Sequence, residues 1–146
     1  MWGIGTRHKE CVTRFVAALN AHDIDEMSAL MTDSFNYIDS LHEGVEGREK
    51  VLEGLRMLFE TDPGFGIEID RISYQGAHVL MAGRITSERF GDSRRAVWRV
   101  LCDGKHLAEW QSWAEGGLPS MSRALAPEFA RNLAHRAAEK PDLSEG

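Results

Sequence analysis

Two acidic side chains lie among aromatic residues in this sequence, and both have the chemistry of a general base. Asp39 ends the run SFNYIDS, in which Phe35, Tyr37 and Asp39 alternate onto one face of a predicted strand. Glu109 lies in the run HLAEWQSWAE, which also alternates. A carboxyl group in an apolar pocket has a raised pKa, which suits proton transfer near neutral pH. The sequence therefore predicts Asp39 as a catalytic base, with Glu109 or Tyr37 as the acid.

Each of these residues also has an ordinary structural interpretation. Asp39 would cap the turn into the loop that follows it. A buried tyrosine more often packs with its hydroxyl satisfied than acts on a ligand, which applies to Tyr37. In the last strand, a shift of one residue would send Glu109 to solvent and bring Trp110 inward. The sequence leaves these alternatives open.

The elements that must position these residues are predicted as three helices followed by four strands. Apolar residues recur at helical spacing over residues 6–20, in a short helix capped by Asp23, and again after Gly47. From residue 66 the period changes to two. The predicted strands cover residues 66–74, 78–88, 94–102 and 106–115. One more amphipathic helix is predicted over residues 127–139. Together these elements predict a single α+β domain with a C-terminal helical tail.

Composition excludes several classes of function. The 146 residues carry 17 Lys and Arg against 23 Asp and Glu, a net charge of -6 that argues against nucleic-acid binding. No apolar run approaches the roughly 20 residues that cross a bilayer, and the first ten residues lack the core of a secretory signal. Cys11 and Cys102 are far apart and have no metal-ligand spacing. We expect a cytoplasmic protein with no metal, no cofactor and no membrane partner.

Three runs of this sequence resemble the nuclear transport factor 2-like superfamily, in particular its SnoaL-like polyketide cyclases and ketosteroid isomerases. These runs are VTRFVAALNAHDIDEMSALMTDSFNYID, EGREKVLEGL and VWRVLCDGKHLAEWQSW. The resemblance implies a cone in which a curved antiparallel sheet wraps around the helices and encloses one pocket. Residues 1–116 would form the cone and residues 117–146 a helical extension. Asp39 falls where ketosteroid isomerases keep the aspartate that moves a proton between carbons.

The register implied by the resemblance predicts which side chains line the pocket. The predicted apolar lining is Phe15, Phe35, Tyr37, Phe59, Met81, Ile85, Trp98, Val100 and Trp113. The predicted polar groups of the pocket are Asp39, Glu109 and Gln111. Phe15 and Trp98 replace the two oxyanion donors of the isomerases, which weighs against steroid isomerisation. The acid that SnoaL-like cyclases keep in the last strand matches either Glu109 or Glu115.

Three functions follow as hypotheses from these residues. The first is a cofactor-free isomerase or cyclase that moves a proton next to a carbonyl of a small hydrophobic substrate. The second is a non-catalytic module that binds such a molecule, and the third is a protein-interaction domain. The predicted outer face of the sheet carries Leu80, Ala82, Val97 and Trp110, a set too apolar for exposure. This face predicts a homodimer.

Overall fold

The computed structural model describes residues 4–89, 93–116 and 119–143 of the chain. The elements within these ranges are α1 (Ile4–Asn20), α2 (Ile24–Ala29), β1 (Met31–Ile38), β2 (Glu43–Glu46), α3 (Arg48–Thr61), β3 (Gly66–Gln75), β4 (His78–Thr86), β5 (Arg94–Asp103), β6 (His106–Ala114), α4 (Met121–Leu125) and β7 (Arg131–Asn132). The predicted α+β class is confirmed, and so is the order of three helices before four long strands. The predicted turn at residues 91–92 lies outside the described residues.

The strands form one sheet in the order β3-β4-β5-β6-β1-β2-β7. Neighbouring strands are antiparallel, except that β1 runs parallel to β6. The helices α1, α2 and α3 cover one face of the sheet, and the buried core lies between them and that face. This inner face is where the sequence places its candidate pocket.

Side-chain hydrogen bonds fix the ends of the first two helices. The predicted cap at Asp23 is confirmed, because its Oδ1 accepts the backbone N–H of Glu26 at 3.1 Å. At the end of α1, the amide of Asn20 accepts the N–H of Ile67 at 2.8 Å and donates to its carbonyl at 2.9 Å. These two bonds tie α1 to β3 in the way a strand partner would.

The short strand β2 was not predicted, because its residues were interpreted as part of a loop. The strand has only four residues, and two of them are glutamates, so its own β-signal is weak. Pairing with the neighbouring strands β1 and β7 stabilises this strand instead. Tyr37 pairs with Val45 on the β1 side, and Gly44 pairs with Arg131 on the β7 side.

A β-bulge in β6 changes which of its side chains point inward. Leu101 pairs with Glu109, but the next residue, Cys102, pairs with Leu107, so Ala108 is an extra residue in the ladder. An extra residue reverses the alternation of faces on either side of it. Leu107 and the residues after the bulge therefore do not share the single face that the sequence pattern predicts.

The predicted orientation of β6 is wrong for this reason. Trp110 lies inside, in ring contact with Phe15 at 5.3 Å between centroids, and not on the outer face. Glu109, Gln111 and Trp113 lie on the outer face and not in the pocket. The exposed fraction of Glu109 is 9% because other parts of the chain cover it there.

The predicted helix over residues 127–139 is also wrong. Only the five-residue α4 is helical in the described C-terminal part, and it ends before Pro127. We call residues 120–138 the strap. Leu133, 1% exposed, packs at the edge of the sheet, and its N–H donates to the carbonyl of His42 at 2.7 Å. A Cβ added to Gly44 would come within 2.6 Å of Leu133 Cδ1, so the glycine makes room for this contact.

The strap then continues onto the outer face of the sheet. The guanidinium of Arg136 contacts Glu46 at 3.1 Å and Glu109 at 3.7 Å. The amide of Gln111 exchanges two hydrogen bonds with the backbone of Ala138, at 3.0 and 3.1 Å. The strap thus wraps around the edge of the sheet, with α4 on the inner side and its last residues on the outer side. These contacts with the sheet, more than helical spacing, determine its path.

Candidate functional site

A cavity lies between α1, α3, α4 and the inner face of the sheet. Its volume is about 90 Å³. Its described lining residues are Phe15, Leu19, Met27, Phe35, Tyr37, Val45, Val51, Gly54, Leu55, Leu58, Phe65, Ile67, Ile85, Trp98, Trp110, Ser112, Met121, Ser122, Leu125 and Ala126. The helices, the sheet and the strap all contribute residues to the cavity wall, and those from the strap belong to α4 or directly follow it.

Aromatic rings form one side of the cavity. Trp110 lies between Phe15, at 5.3 Å, and Trp98, at 6.4 Å, and both pairs of rings are tilted. Phe35 extends the cluster, with its ring centroid 6.3 Å from that of Phe15. Tilted rings at these separations are favourable aromatic contacts. The cluster gives the cavity a rigid, apolar surface of the kind that binds planar or cyclic molecules.

A pair of hydroxyl groups is the main polar feature of the cavity. The hydroxyl of Tyr37 lies 3.4 Å from Oγ of Ser112, a long hydrogen bond. Burial raises the pKa of Tyr37 above its usual range, and the charge of Asp39 raises it further. The phenol therefore keeps its proton and can donate it in a hydrogen bond to a ligand oxygen.

Asp39 is buried, at 2% exposure, but it is not among the residues that line the cavity. Its Oδ1 accepts the backbone N–H groups of Leu41 and Glu43, at 2.9 and 3.1 Å. Its Oδ2 accepts the hydroxyl of Ser120 at 2.6 Å and the N–H of Ser122 at 3.1 Å. Four donors thus surround the carboxylate, which closes the β1–β2 turn and holds the start of α4. Its role as a base stays a prediction.

The other predicted site residues divide into three groups. Those that line the cavity are Phe15, Phe35, Tyr37, Ile85 and Trp98. Met81 and Val100 are fully buried in the core without lining the cavity, and Phe59 stacks on His22 at 4.0 Å. The predicted pocket positions of Glu109, Gln111 and Trp113 are wrong, because the bulge turns all three outward. Trp113 instead lies in an outer hollow with Ala82 and Val97.

Comparison with known proteins identifies the fold family. A model of the SnoaL-like domain matches residues 12–109. The chain belongs to the SnoaL-like domain family. The matched range ends before the strap begins. Among curated proteins, none matches this SnoaL-like chain.

Solved structures agree with the family. A protein described as a SnoaL-like polyketide cyclase, from Jannaschia sp. CCS1, is 20% identical, with a TM-score of 0.67 over 75% of this chain and 86% of its own. An LEH-like epoxide hydrolase of M. tuberculosis is 21% identical, with a TM-score of 0.66 over 75% of this chain and 84% of its own. An NTF2-like protein of unknown function from Mesorhizobium loti is 17% identical, with a TM-score of 0.65 over 76% and 93%. At these identities the likeness establishes the fold alone.

Sequence reasoning missed the cavity residues that depend on the bulge and on the strap. Trp110 and Ser112 point inward only because of the bulge at Ala108, and the alternation after the bulge carries no signal of it. Leu125 and Ala126 reach the cavity only because the strap folds back over it. Local pattern carries no signal for such a return.

The described part of this SnoaL-like chain contains no group of three or more His, Cys, Asp or Glu residues that could hold a metal ion. Among the same residues, every helix is too short or too polar to span a bilayer. Cys11 and Cys102 are buried free thiols, and burial raises the pKa of Cys11 to about 11 and that of Cys102 to about 12. Thiols with such pKa values are poor nucleophiles at neutral pH.

Proposed function

We propose that this SnoaL-like chain binds a small, mostly apolar molecule that carries one carbonyl or hydroxyl oxygen. The observation that supports this most directly is the cavity, whose described side chains are apolar except for the hydroxyls of Tyr37, Ser112 and Ser122 and the indole N–H groups of Trp98 and Trp110. Apolar walls with a few placed polar groups are typical of small-molecule sites. The apolar body of the ligand would contact the rings around Trp110, and its oxygen would face the hydroxyl pair.

The size of the cavity favours a ligand of few heavy atoms. Its volume of about 90 Å³ is smaller than the roughly 150 Å³ of an engineered cavity that binds benzene. Typical sites for larger ligands measure about 300–1,000 Å³. A five-membered ring fits with a small displacement of one wall, whereas a steroid requires a much larger opening. We therefore take cyclopentanone as the representative ligand.

Binding is favoured over turnover by the absence of a base in the wall. The described lining residues include no carboxylate and no imidazole. A catalytic base must lie within hydrogen-bond reach of the proton it removes. Asp39 is the base that the sequence predicts, and both of its oxygens already accept hydrogen bonds, from Leu41, Glu43, Ser120 and Ser122.

The second candidate is proton transfer next to a carbonyl, with Asp39 as the base and Tyr37 as the acid. The observation that favours it is that Tyr37 and Asp39 lie two residues apart at the end of β1. In this candidate both groups act on one ligand once Asp39 loses its contacts with the strap. Glu109 has no part in this candidate, because it lies on the outer face beside Arg136.

The test compares cyclopentanone with methylcyclopentane, which has a similar shape but no oxygen. We expect the wild type to bind both in calorimetry, and the ketone more tightly. Tyr37→Phe should weaken ketone binding by about 3- to 10-fold, the value of one hydrogen bond, and leave methylcyclopentane unchanged. The matched control is Tyr74→Phe, which removes a half-exposed hydroxyl from β3. Failure of both compounds to bind at millimolar concentration would refute the proposal.

A second experiment separates the two candidates. Exchange of the α-protons of cyclopentanone in heavy water reports proton removal next to the carbonyl. The binding proposal expects no acceleration over the buffer reaction. Acceleration by the wild type that Asp39→Asn abolishes, with ketone binding retained, would favour the enzyme instead.

The homodimer is a separate proposal that concerns the outer face. With Trp110 inside, the apolar residues on this face are Ala82 and Val97, which are half-buried, and Leu80 and Trp113, which are buried. All of them except Leu80 line a hollow of about 560 Å³, to which charged residues and residues 140–143 also contribute. The strap covers the neighbouring part of the face around Glu109, so the dimer would use the strands β3 to β5. Sedimentation should give a dimer at micromolar concentration and a monomer for Val97→Glu. A monomeric wild type would contradict the proposal.

A further inference from the structure

The strap contributes one wall of the cavity. Met121, Leu125 and Ala126 face the cavity from α4 and the residue after it, whereas the remaining walls belong to strands of the sheet, to the helices α1, α2 and α3 and to Phe65. A helix of five residues is not stable in isolation. The fold of α4 therefore depends on its contacts with the rest of the chain.

The polar contacts of α4 lie at the β1–β2 turn. Asp39 accepts two hydrogen bonds from the start of α4, through Ser120 and Ser122. The hydroxyl of Ser122 donates a further bond to the carbonyl of Glu43 at 3.3 Å. Arg123 forms an ion pair with Glu43 at 3.2 Å, and half of the arginine side chain is exposed, so the pair contributes little. The remaining attachment of α4 is packing against α3 and β2.

The rest of the strap is held more firmly. Leu133 is buried and bonded to the His42 carbonyl at 2.7 Å. Arg136 lies between two glutamates, and Gln111 holds the backbone of Ala138 with two hydrogen bonds. The strap is thus fixed at the sheet edge and on the outer face, several residues beyond α4.

We propose that α4 is a door: ligands enter and leave the cavity when residues 120–126 move away, while residues 131–138 stay on the sheet. This inference rests on the proposed function, because it concerns access to the same cavity. Asp39 is the latch of the door, a positioning residue in its closed state. Opening the door would remove two donors from its carboxylate and widen the cavity beyond about 90 Å³.

A disulfide that joins α4 to α3 tests the door directly. A Cβ built on Gly54 would lie 3.5 Å from Cβ of Ala126, within the roughly 3.5–4.5 Å range of disulfides. In the double variant Gly54→Cys/Ala126→Cys, we expect oxidation to slow the association of cyclopentanone by about 100-fold or more, since gating motions limit access. Reduction should restore the rate. The controls are the two single variants, and association that is equally fast when oxidised would overturn the proposal.

Hydrogen exchange tests the door without any ligand. The N–H groups of Ala124 and Ala126 are bonded within α4, to Ser120 and Ser122. We expect them to exchange about 100-fold faster than the amides of β5, because local opening requires less free energy than global unfolding. Ser120→Ala should accelerate amide exchange in α4 by about 10-fold, because it removes both the hydrogen bond to Asp39 and the N-cap of α4. Exchange in β5 should change less.

The two measurements separate the door from the proposed function. Exchange of α4 at the rate of β5 would refute the door even if cyclopentanone binds. Fast exchange of α4 in a protein that binds neither test compound would refute the binding proposal, and with it the entry of ligands past α4, while it would still show that α4 opens locally.

Discussion

Asp39 and Asp62 are two buried carboxylates at different places in the molecule, and they have nearly the same chemistry. Asp39 is 2% exposed and Asp62 is fully buried. Each accepts a serine hydroxyl, from Ser120 and from Ser87 respectively, and each also accepts backbone N–H groups. Only Asp39 lies in an aromatic run that suggests catalysis. The comparison teaches that burial of a carboxylate does not by itself mark a catalytic acid, because the same burial and the same kinds of donor occur at a purely structural position.

The difference between the two acids is in the segments that they join. Asp62 follows α3 and holds Glu88 and Arg89 just after β4, so it connects two parts of the main domain. Asp39 connects the β1–β2 turn to the strap, which lies beyond the range of the SnoaL-like family model. One carboxylate therefore supports the fold, and the other supports a cover over the cavity.

The largest expected effect is that of removing Asp62. Asp62→Ala should lower the free energy of unfolding by about 3 kcal/mol, because it leaves buried donors without a charged acceptor. Urea unfolding measures this loss. The matched control is Asp70→Ala on the exposed side of β3, which should change stability by less than about 0.5 kcal/mol. A smaller loss for Asp62→Ala than for Asp39→Ala would reverse the comparison.

The corresponding change at Asp39 should be smaller and local. Asp39→Ala should cost about 2 kcal/mol, because two of its donors belong to α4 and can be hydrated when α4 moves. Trypsin should cleave after the exposed Arg123 about 10-fold faster than in the wild type, since α4 opens more often. Cleavage at Arg56 in α3 is the internal control. Equal acceleration at both sites would indicate global loosening and contradict a local role.

Alkaline pH tests three other buried groups, the two cysteine thiols and the phenol of Tyr37, which keep their protons in the folded chain. The pKa values of Cys11, Cys102 and Tyr37 are raised by burial, from ordinary values of 9.0 for the thiols and 10.0 for the phenol. Above these values the unfolded chain loses protons first, so stability should fall as the pH rises from about 9 to 12. Tyr37→Phe should remove the part of this loss that begins near pH 10. An identical profile for the variant would contradict burial of the phenol.

The smallest expected effect is a gain in stability at Gly54, on the side of α3 that faces α4. Its added Cβ would meet Ala126 at 3.5 Å, an ordinary contact, and alanine is the better helix former. Gly54→Ala should raise the free energy of unfolding by about 0.5–1 kcal/mol in urea. The control is Gly47→Ala, which should destabilise because Gly47 has a φ of 102°. Loss of stability at Gly54 would mean that α4 packs more tightly there than described.

The sequence predicts the strands well where their ends carry strong turn signals. The turns at Gly76 and Gly104 both have positive φ, and the strands around them begin and end within two residues of the predicted positions. Apolar periodicity also predicts the helices and most of the inner face, including Phe15, Phe35 and Trp98. Period and turn chemistry are local properties, and the local sequence contains them.

The bulge and the strap were not predictable in this way. The bulge at Ala108 depends on how β6 meets β5, and it reverses the faces of Glu109 and Gln111. The strap depends on an edge strand, a glycine and two glutamates that are distant from it in sequence. Tertiary contacts determine both the bulge and the path of the strap. The sequence therefore predicts the candidate-site residues only where neither feature changes which side chains face the cavity.

The pairing of β7 with β2 has a consequence for self-association. It covers the backbone N–H and C=O groups at one edge of the sheet, whereas the opposite edge, β3, is long and exposes Ile72 and Tyr74 by 39% and 38%. Open edges are templates for strand addition and aggregation. A chain that ended before Arg131 would expose the edge of β2 as well as that of β3, so the strap also protects one of the two edges from strand addition.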